Sequence, residues 1–323
     1  MRTRTKVWLI IAASLLLIGC ILFAGVMTTL KWDFMELATD KYETNTYEIS
    51  EAFESISMNT DTADIVFAFS DDGKCRVESY EEEKAKHLVT VKDGTLTVEL
   101  IDERTVYDFI GHIGLNFGSS KITVYLPKAE YTSLLIDEST GDIEIPKDFN
   151  FNNVDISLST GDVKFHASAS ETIKITTSTG DIRVENINAG TLDLSVSTGD
   201  VTVSGVTCEG DVTIGVSTGK VSLTDIKCKS LTSSGNTGDI FLNHVIATEK
   251  FSIERSTGDV RFDGSDAAEI FVETDTGDVT GTLLIDKVFM TQTDTGSIDV
   301  PKTMTGGKCE IHTDTGDIRI SIK

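Results

Sequence analysis

Leu192-Asp193-Leu194-Ser195-Val196-Ser197-Thr198-Gly199-Asp200-Val201-Thr202-Val203 is one copy of the unit that decides the fold of this chain. Its Thr-Gly centre, followed by Asp, Lys or Ser, occurs ten times. The glycines are Gly141, Gly161, Gly180, Gly199, Gly219, Gly238, Gly258, Gly277, Gly296 and Gly316, always 19 or 20 residues apart. A fixed period of this length means stacked copies of one structural unit. Thr precedes the glycine in all ten copies, and Asp follows it in eight, with Lys220 and Ser297 as the exceptions. Two residues after the glycine comes Ile or Val every time. Four residues after it, nine copies are apolar and the tenth is Gly281. Seven and five residues before it stand pairs such as Val154/Ile156, Ile173/Ile175, Val212/Ile214 and Ile270/Val272.

This is period-2 patterning, rich in β-branched residues, on both sides of a glycine, and it predicts two short strands per repeat joined at a bend. Upstream the inward positions are odd offsets; downstream they are even. One residue must absorb the parity change, and glycine has the backbone freedom to do so. The repeat is too short for a strand, a helix and a strand, and no segment of it carries helical spacing. The expectation is an all-β fold, a parallel β-solenoid or β-helix of 19–20-residue coils with four inward side chains each. At about 4.8 Å per coil the rod is roughly 48 Å long. Ile56-Ser57-Met58-Asn59-Thr60-Asp61-Thr62-Ala63-Asp64-Ile65-Val66-Phe67 fits the template with Ala63 in place of glycine. Between it and Gly141, worn coils and a hairpin cap are both open. The chain stops at Ile318-Arg319-Ile320-Ser321-Ile322-Lys323, which predicts a last coil with an uncovered edge.

Val7 to Leu30 is 24 residues without a charge, enough to cross a bilayer as a helix. Arg2, Arg4 and Lys6 precede it, whereas Lys31, Asp33, Glu36 and Asp40 carry no basic excess. The positive-inside rule then places the N-terminus in the cytosol and the repeats outside the membrane. The only two tryptophans, Trp8 and Trp32, bracket the segment. A rival reading is Leu17-Ile18-Gly19-Cys20 as a lipobox with Cys20 lipidated. The layout expected is therefore a cytoplasmic N-terminus at 1–6, a transmembrane helix at 7–30 and a linker at 31–50. Degenerate first coils or an N-terminal cap follow at 51–127, and the solenoid runs over 128–323.

The net charge is −24, so no basic face exists to displace counterions from phosphate, and nucleic acid is not an expected partner. Asp294-Thr295-Gly296-Ser297 matches the aspartic-protease signature, but consecutive copies must stack in a column rather than face each other across a cleft. Asp142, Asp162, Asp181, Asp200, Asp239, Asp259 and Asp278 form a column at one corner. Charges about 4.8 Å apart repel by roughly 1 kcal/mol in water. Two readings account for their tolerance: hydrogen bonds to turn amides and the Thr column, or calcium bridging. Lys220 is placed to neutralise Asp200 and Asp239. Cys208 and Cys228 share an offset and stand in adjacent coils, either as buried thiols or as a disulfide; Cys309 reads as core. His87, His112, His166, His244 and His312 fall at unrelated offsets and form no ligand column. Phe271 and Met290 share an outward offset in successive copies and make a candidate apolar patch. No catalytic or cofactor-binding residue is identified.

The tract from Ile122-Thr123-Val124-Tyr125-Leu126-Pro127 through the Ser-Thr-Gly-Asp repeats resembles a bacterial family of β-strand-repeat proteins of unknown function. That family is labelled "putative adhesin" and is typified by the LiaG-like proteins of envelope-stress operons. The membrane helix, the Leu-Pro before the first clear repeat and the serial turns carry the resemblance over residues 1–323. It implies no catalytic residues. The function expected is a non-enzymatic, membrane-anchored rod outside the cytoplasm, acting as adhesin, scaffold or envelope-stress accessory. The alternative is a glycan-binding or glycan-cleaving β-helix protein. Expected partners are the bilayer through 7–30, an envelope protein or cell-wall component, and a second copy through the last coil.

Overall fold

The computed structural model describes residues 3–32, 42–104 and 119–323. Arg2, the linker charges Asp33, Glu36 and Asp40, and His112 lie outside them. The apolar N-terminal run forms one helix, Thr3–Thr29, of 27 residues. Its 23-residue apolar part, Val7–Thr29, is long enough to cross a membrane. In its last turn the Val26 carbonyl accepts both the Leu30 amide at 3.1 Å and the Thr29 hydroxyl at 2.7 Å.

All other described elements are strands, and the repeats stack as parallel coils of a solenoid. In a typical coil, Val212–Thr218 runs to the glycine corner and Val221–Thr224 leaves it; the chain then turns again and continues through Ile226 and Lys227. The middle coils thus have three strand segments rather than two. The second turn is made by Asn186, Gly205, Asp225, His244 and Gly264, which occupy one offset in five consecutive coils and all have φ between 54° and 63°. After this left-handed residue the inward parity flips again, so that Val206 and Cys208, Ile226 and Cys228, and Val245 and Ala247 also point into the core. A third inward column stands three residues before the glycine, with Leu158, Thr177, Val196, Val216 and Arg255 among its members. Four inward side chains per coil was therefore too few. The extra positions make a broader continuous core.

The Ala63 copy is a coil. Ser55–Thr62 pairs in parallel with Glu130–Thr140, and Asp64–Phe69 pairs with the strand Ile143–Ile145. Ala63 and Gly141, 78 positions apart, thus stand in neighbouring coils, and residues 75–104 and 121–126 fold back as a cap. Cys75–Glu82 runs antiparallel to both Tyr42–Ile49 and Lys121–Leu126. Ala85–Lys92 and Thr95–Asp102 form a hairpin, whose second strand pairs with Ser55–Thr62. Residues 42–49, expected as linker, are the outer strand of this cap.

At the other end, the order of coils departs from the order of the chain. Gly307–Thr315 pairs with Glu269–Thr276 on one side and with Lys287–Thr295 on the other. Ile318–Ile322 likewise lies between Val279–Leu283 and Ile298–Asp299. The expectation of an uncovered last coil is overturned: coil 307–322 is internal, and coil 287–299 is outermost. The inward residues explain the order. Cys309, Ile311 and Ile318 are fully buried, whereas the outermost coil offers Thr291, Thr293 and a half-exposed Ile298. The more apolar coil takes the drier place.

Candidate functional site

The corner column was the most conspicuous candidate, and its geometry is consistent along the rod. At the bend the Gly amide still donates to a backbone carbonyl of the next coil, as from Gly199 N to Thr218 O at 3.0 Å. The following residue's amide turns away from that ladder. It donates instead to the carboxylate of the equivalent Asp in the preceding coil. Asp64, Asp142, Asp162, Asp181, Asp200, Asp239, Asp259, Asp278 and Asp317 each accept one such bond through Oδ1, at 2.7–3.0 Å. An ionised acceptor strengthens each bond and offsets the repulsion between neighbouring charges. The glycine is doubly required. Gly219 has φ +146°, and a Cβ there would lie 1.9 Å from the Gly199 carbonyl oxygen.

The two exceptions now separate. Ser297 belongs to the outermost coil, where no further amide needs a carboxylate; its amide and hydroxyl both donate to Asp317 Oδ1, at 2.7 and 2.8 Å. Lys220 lies mid-column and offers no acceptor to the Asp239 amide. Its ammonium sits 5.4 Å from the Phe241 ring centroid rather than between Asp200 and Asp239. Among the described residues, no group of three or more His, Cys, Asp or Glu is placed to hold a metal ion.

The remaining candidates scatter along the rod. His166, His244 and His312 each approach a single carboxylate, at 3.8, 3.5 and 3.1 Å. His87 is buried in the cap, where its Nδ1 lies 2.6 Å from Glu81 Oε2; Asn45 donates to the other Glu81 oxygen at 2.7 Å. These bonds hold the Glu81 carboxyl below its usual range against the opposing effect of burial. The cysteines are free thiols. Burial pushes Cys75, Cys228 and Cys309 up to about 12 and also raises Cys208. Neutral thiols of this kind are poor nucleophiles. The protease-like Asp-Thr-Gly copies at 275–277, 314–316 and 294–296 stack in register, as their regular spacing requires. Phe271 and Met290 do not adjoin: Glu310 of the inserted coil lies between them, and Lys250 covers the Phe271 ring at 5.6 Å.

Sequence reasoning missed the polar members of the third inward column. Glu138 is 2% exposed; its Oε1 accepts from the Ala63 and Thr140 amides at 3.2 and 3.3 Å, and burial pushes its carboxyl up to about 8. Arg255 is 3% exposed. It reaches back through the space that Gly235 leaves and donates to the Val216 carbonyl at 2.9 Å; burial lowers it to about 10. Both groups hydrogen-bond backbone atoms near the corner. Two grooves were also invisible in the sequence. One, of about 570 Å³, runs along the lateral face between Ser195 and Asp275, lined by Ser, Gly and Asn with Glu254, Glu273 and Asp275. The other, of about 550 Å³, lies at the cap, floored by Ile49, Phe53, Cys75, Pro127 and Tyr131.

A family model described as Toastrack DUF4097 matches residues 53–216 and 210–323. The chain belongs to the Toastrack family. The match spans the first coil, the cap apart from its outer strand and every glycine corner. A crystal structure from Parabacteroides distasonis described as a "putative lipid binding protein" superposes with a TM-score of 0.51 at 18% identity, covering 76% of this chain and 98% of that one. A "putative adhesin" from the same species gives 0.49 at 13% identity, covering 76% and 98%. Another from Bacteroides fragilis gives 0.41 at 18%, covering 87% and 97%. At 18% identity the likeness to the first of these is one of fold. No curated protein matches the Toastrack chain.

Proposed function

We propose that this Toastrack chain is a non-enzymatic rod tethered to the membrane by residues 7–30. Its N-terminus is cytoplasmic and its solenoid stands outside the cytoplasm. There it acts as an adhesin-like or scaffold element of the cell envelope, including under envelope stress, and contacts an envelope protein or cell-wall component. The observation that carries this reading is the joining of one membrane-length helix to a rod whose polar groups are committed to building the rod. The corner carboxylates bind amides, and the buried Glu138 and Arg255 bind the bend backbone. Such a molecule offers length and surface rather than a reaction centre. A glycan-binding reading is favoured only by the lateral groove, where three carboxylates meet a floor of Ser, Gly and Asn.

Protease treatment of intact protoplasts tests the placement. The expected outcome is digestion of residues 42–323 with the helix fragment retained; full protection would overturn it. Glycan arrays with the detergent-solubilised chain separate the two readings. A specific glycan signal abolished by Glu273→Ala supports the groove, and no signal supports the scaffold.

A further inference from the structure

Coil 307–322 fills a slot that the rest of the chain has already built. After Leu283 the chain skips one coil height before starting Lys287–Thr295. Asp266 fixes that skip: Oδ2 accepts the Leu284 and Ile285 amides at 2.9 and 2.7 Å, while Oδ1 pairs with Lys287 Nζ at 2.5 Å. Both side chains of the pair are buried, so removing either partner would strand a charge. The slot is therefore held open by residues outside the segment that enters it.

The entrance is equally specific. A Cβ on Gly306 would lie 1.7 Å from the Asp286 carbonyl oxygen, and one on Gly307 would lie 1.7 Å from that of Ala268. The incoming chain passes between the two walls with no room for a side chain. Inside, it completes both walls. Gly277 donates to Thr315 O and Gly316 donates to Thr295 O, at 2.9 and 3.0 Å. Asp278 accepts the Asp317 amide, and Asp317 accepts the Ser297 amide, both at 2.7 Å. All these partners lie outside 307–322. Residues 300–306 join the segment to the preceding coil, and when extended they reach about 23 Å.

The surface around the slot is unusual for this rod. Beyond residue 42, the described residues include ten exposed large hydrophobic side chains, and six of them are Leu284, Ile285, Val288, Met290, Ile298 and Met304. Met304, inside the connecting segment, is 92% exposed.

We propose that the slot accepts residues 307–322 of a second copy of this chain, the two copies exchanging this coil through residues 300–306. Each slot then keeps every hydrogen bond described above, since none depends on which copy supplies the coil. The exchange also brings two tips together, which covers the apolar residues that a single copy leaves in water. The partner is identified by fit: a strand with Gly-Gly at its entry, Cys309 and Ile311 inward, and Thr-Gly-Asp at the corner. The proposal stands independently of the envelope reading.

Thr280 and Arg319 are outward neighbours in register across one wall of the slot. Full-length Thr280→Cys and Arg319→Cys chains, carrying different epitope tags, are co-expressed, solubilised in detergent and treated with a short bismaleimide. A linked species bearing both tags is expected, several-fold above the level given by Lys164→Cys with Arg319→Cys, which are several coils apart. A chain carrying both Thr280→Cys and Arg319→Cys must link, which shows that the positions are folded and reactive. If that chain links only within itself and the co-expressed pair gives no doubly tagged species, the exchange is overturned. A signal equal to the Lys164→Cys level overturns it as well.

Discussion

Glu138 is the residue whose chemistry most clearly constrains the folded state. Its carboxyl lies in the core column beside Thr60, holds two backbone amides with one oxygen, and has no partner for the other. Burial raises it from 4.5 to about 8. The folded chain therefore holds a proton here that the unfolded chain has released across that interval. The sign follows by linkage: the stability contribution is complete below about pH 4.5 and is lost as pH rises through about 8. The loss is on the order of a few kcal/mol, because each tenfold change in proton affinity corresponds to about 1.4 kcal/mol. Glu138→Gln keeps an oxygen for the Ala63 and Thr140 amides and removes the ionisation. Thermal melts of the full chain between pH 5 and 9 should fall with pH for the native protein and run flatter for the variant, which should melt higher at pH 8–9. Parallel curves for the two proteins would show that Glu138 is not the titrating group.

The corner column acts as a single element, and the bond that each Asp makes to the next coil predicts how substitutions will behave. Asp200→Ala removes the acceptor for the Lys220 amide and should cost about 1 kcal/mol in chemical denaturation. Asp200→Asn retains an Oδ1 acceptor and relieves like-charge repulsion, so it should be close to neutral. If calcium bridging were the purpose of the column, added Ca²⁺ would raise the melting temperature and Asp200→Asn would weaken that rise. The amide ladder predicts no change with Ca²⁺ and a larger loss for Ala than for Asn. This element was largely legible in the sequence: the Thr-Gly-Asp spacing held the corner, the stacking and the parity change. The second corner was not, although Asn186, Gly205, Asp225, His244 and Gly264 share one offset and suit left-handed backbone. Their chemical diversity hid a position defined by φ alone. The third inward column was missed for a related reason, since Glu138 and Arg255 look like surface residues until the backbone amides and carbonyls they bind near the corner are in view.

At the scale of the whole molecule, a period reveals which units stack but not in what order they do so. Residues 75–104 and 121–126 form a cap, and Glu130–Thr140 then resumes in the coil next to that of Ser55–Phe69. Residues 284–306 leave one place empty for a later coil to fill. Both departures occur at the ends, where a coil has one neighbour and chain order has least hold on spatial order. The reason was available in part, because Thr291 and Thr293 suit the wet outer place and Cys309 and Ile311 the dry inner one. Ser297 adds to it as the one corner serine, standing where no further coil needs a carboxylate. The order itself is measurable. Glu273, His312 and Gln292 share one outward row, with His312 between the other two. Neighbouring coils lie about 4.8 Å apart and alternate coils about 9.6 Å, beyond the reach of a disulfide. Mild oxidation of full-length double variants should therefore join Glu273→Cys to His312→Cys and His312→Cys to Gln292→Cys, with no bond between Glu273→Cys and Gln292→Cys. Stacking in chain order would join that last pair and leave Glu273→Cys and His312→Cys apart. The two orders thus give opposite results at the 273–292 and 273–312 pairs, whichever copy supplies the inserted coil.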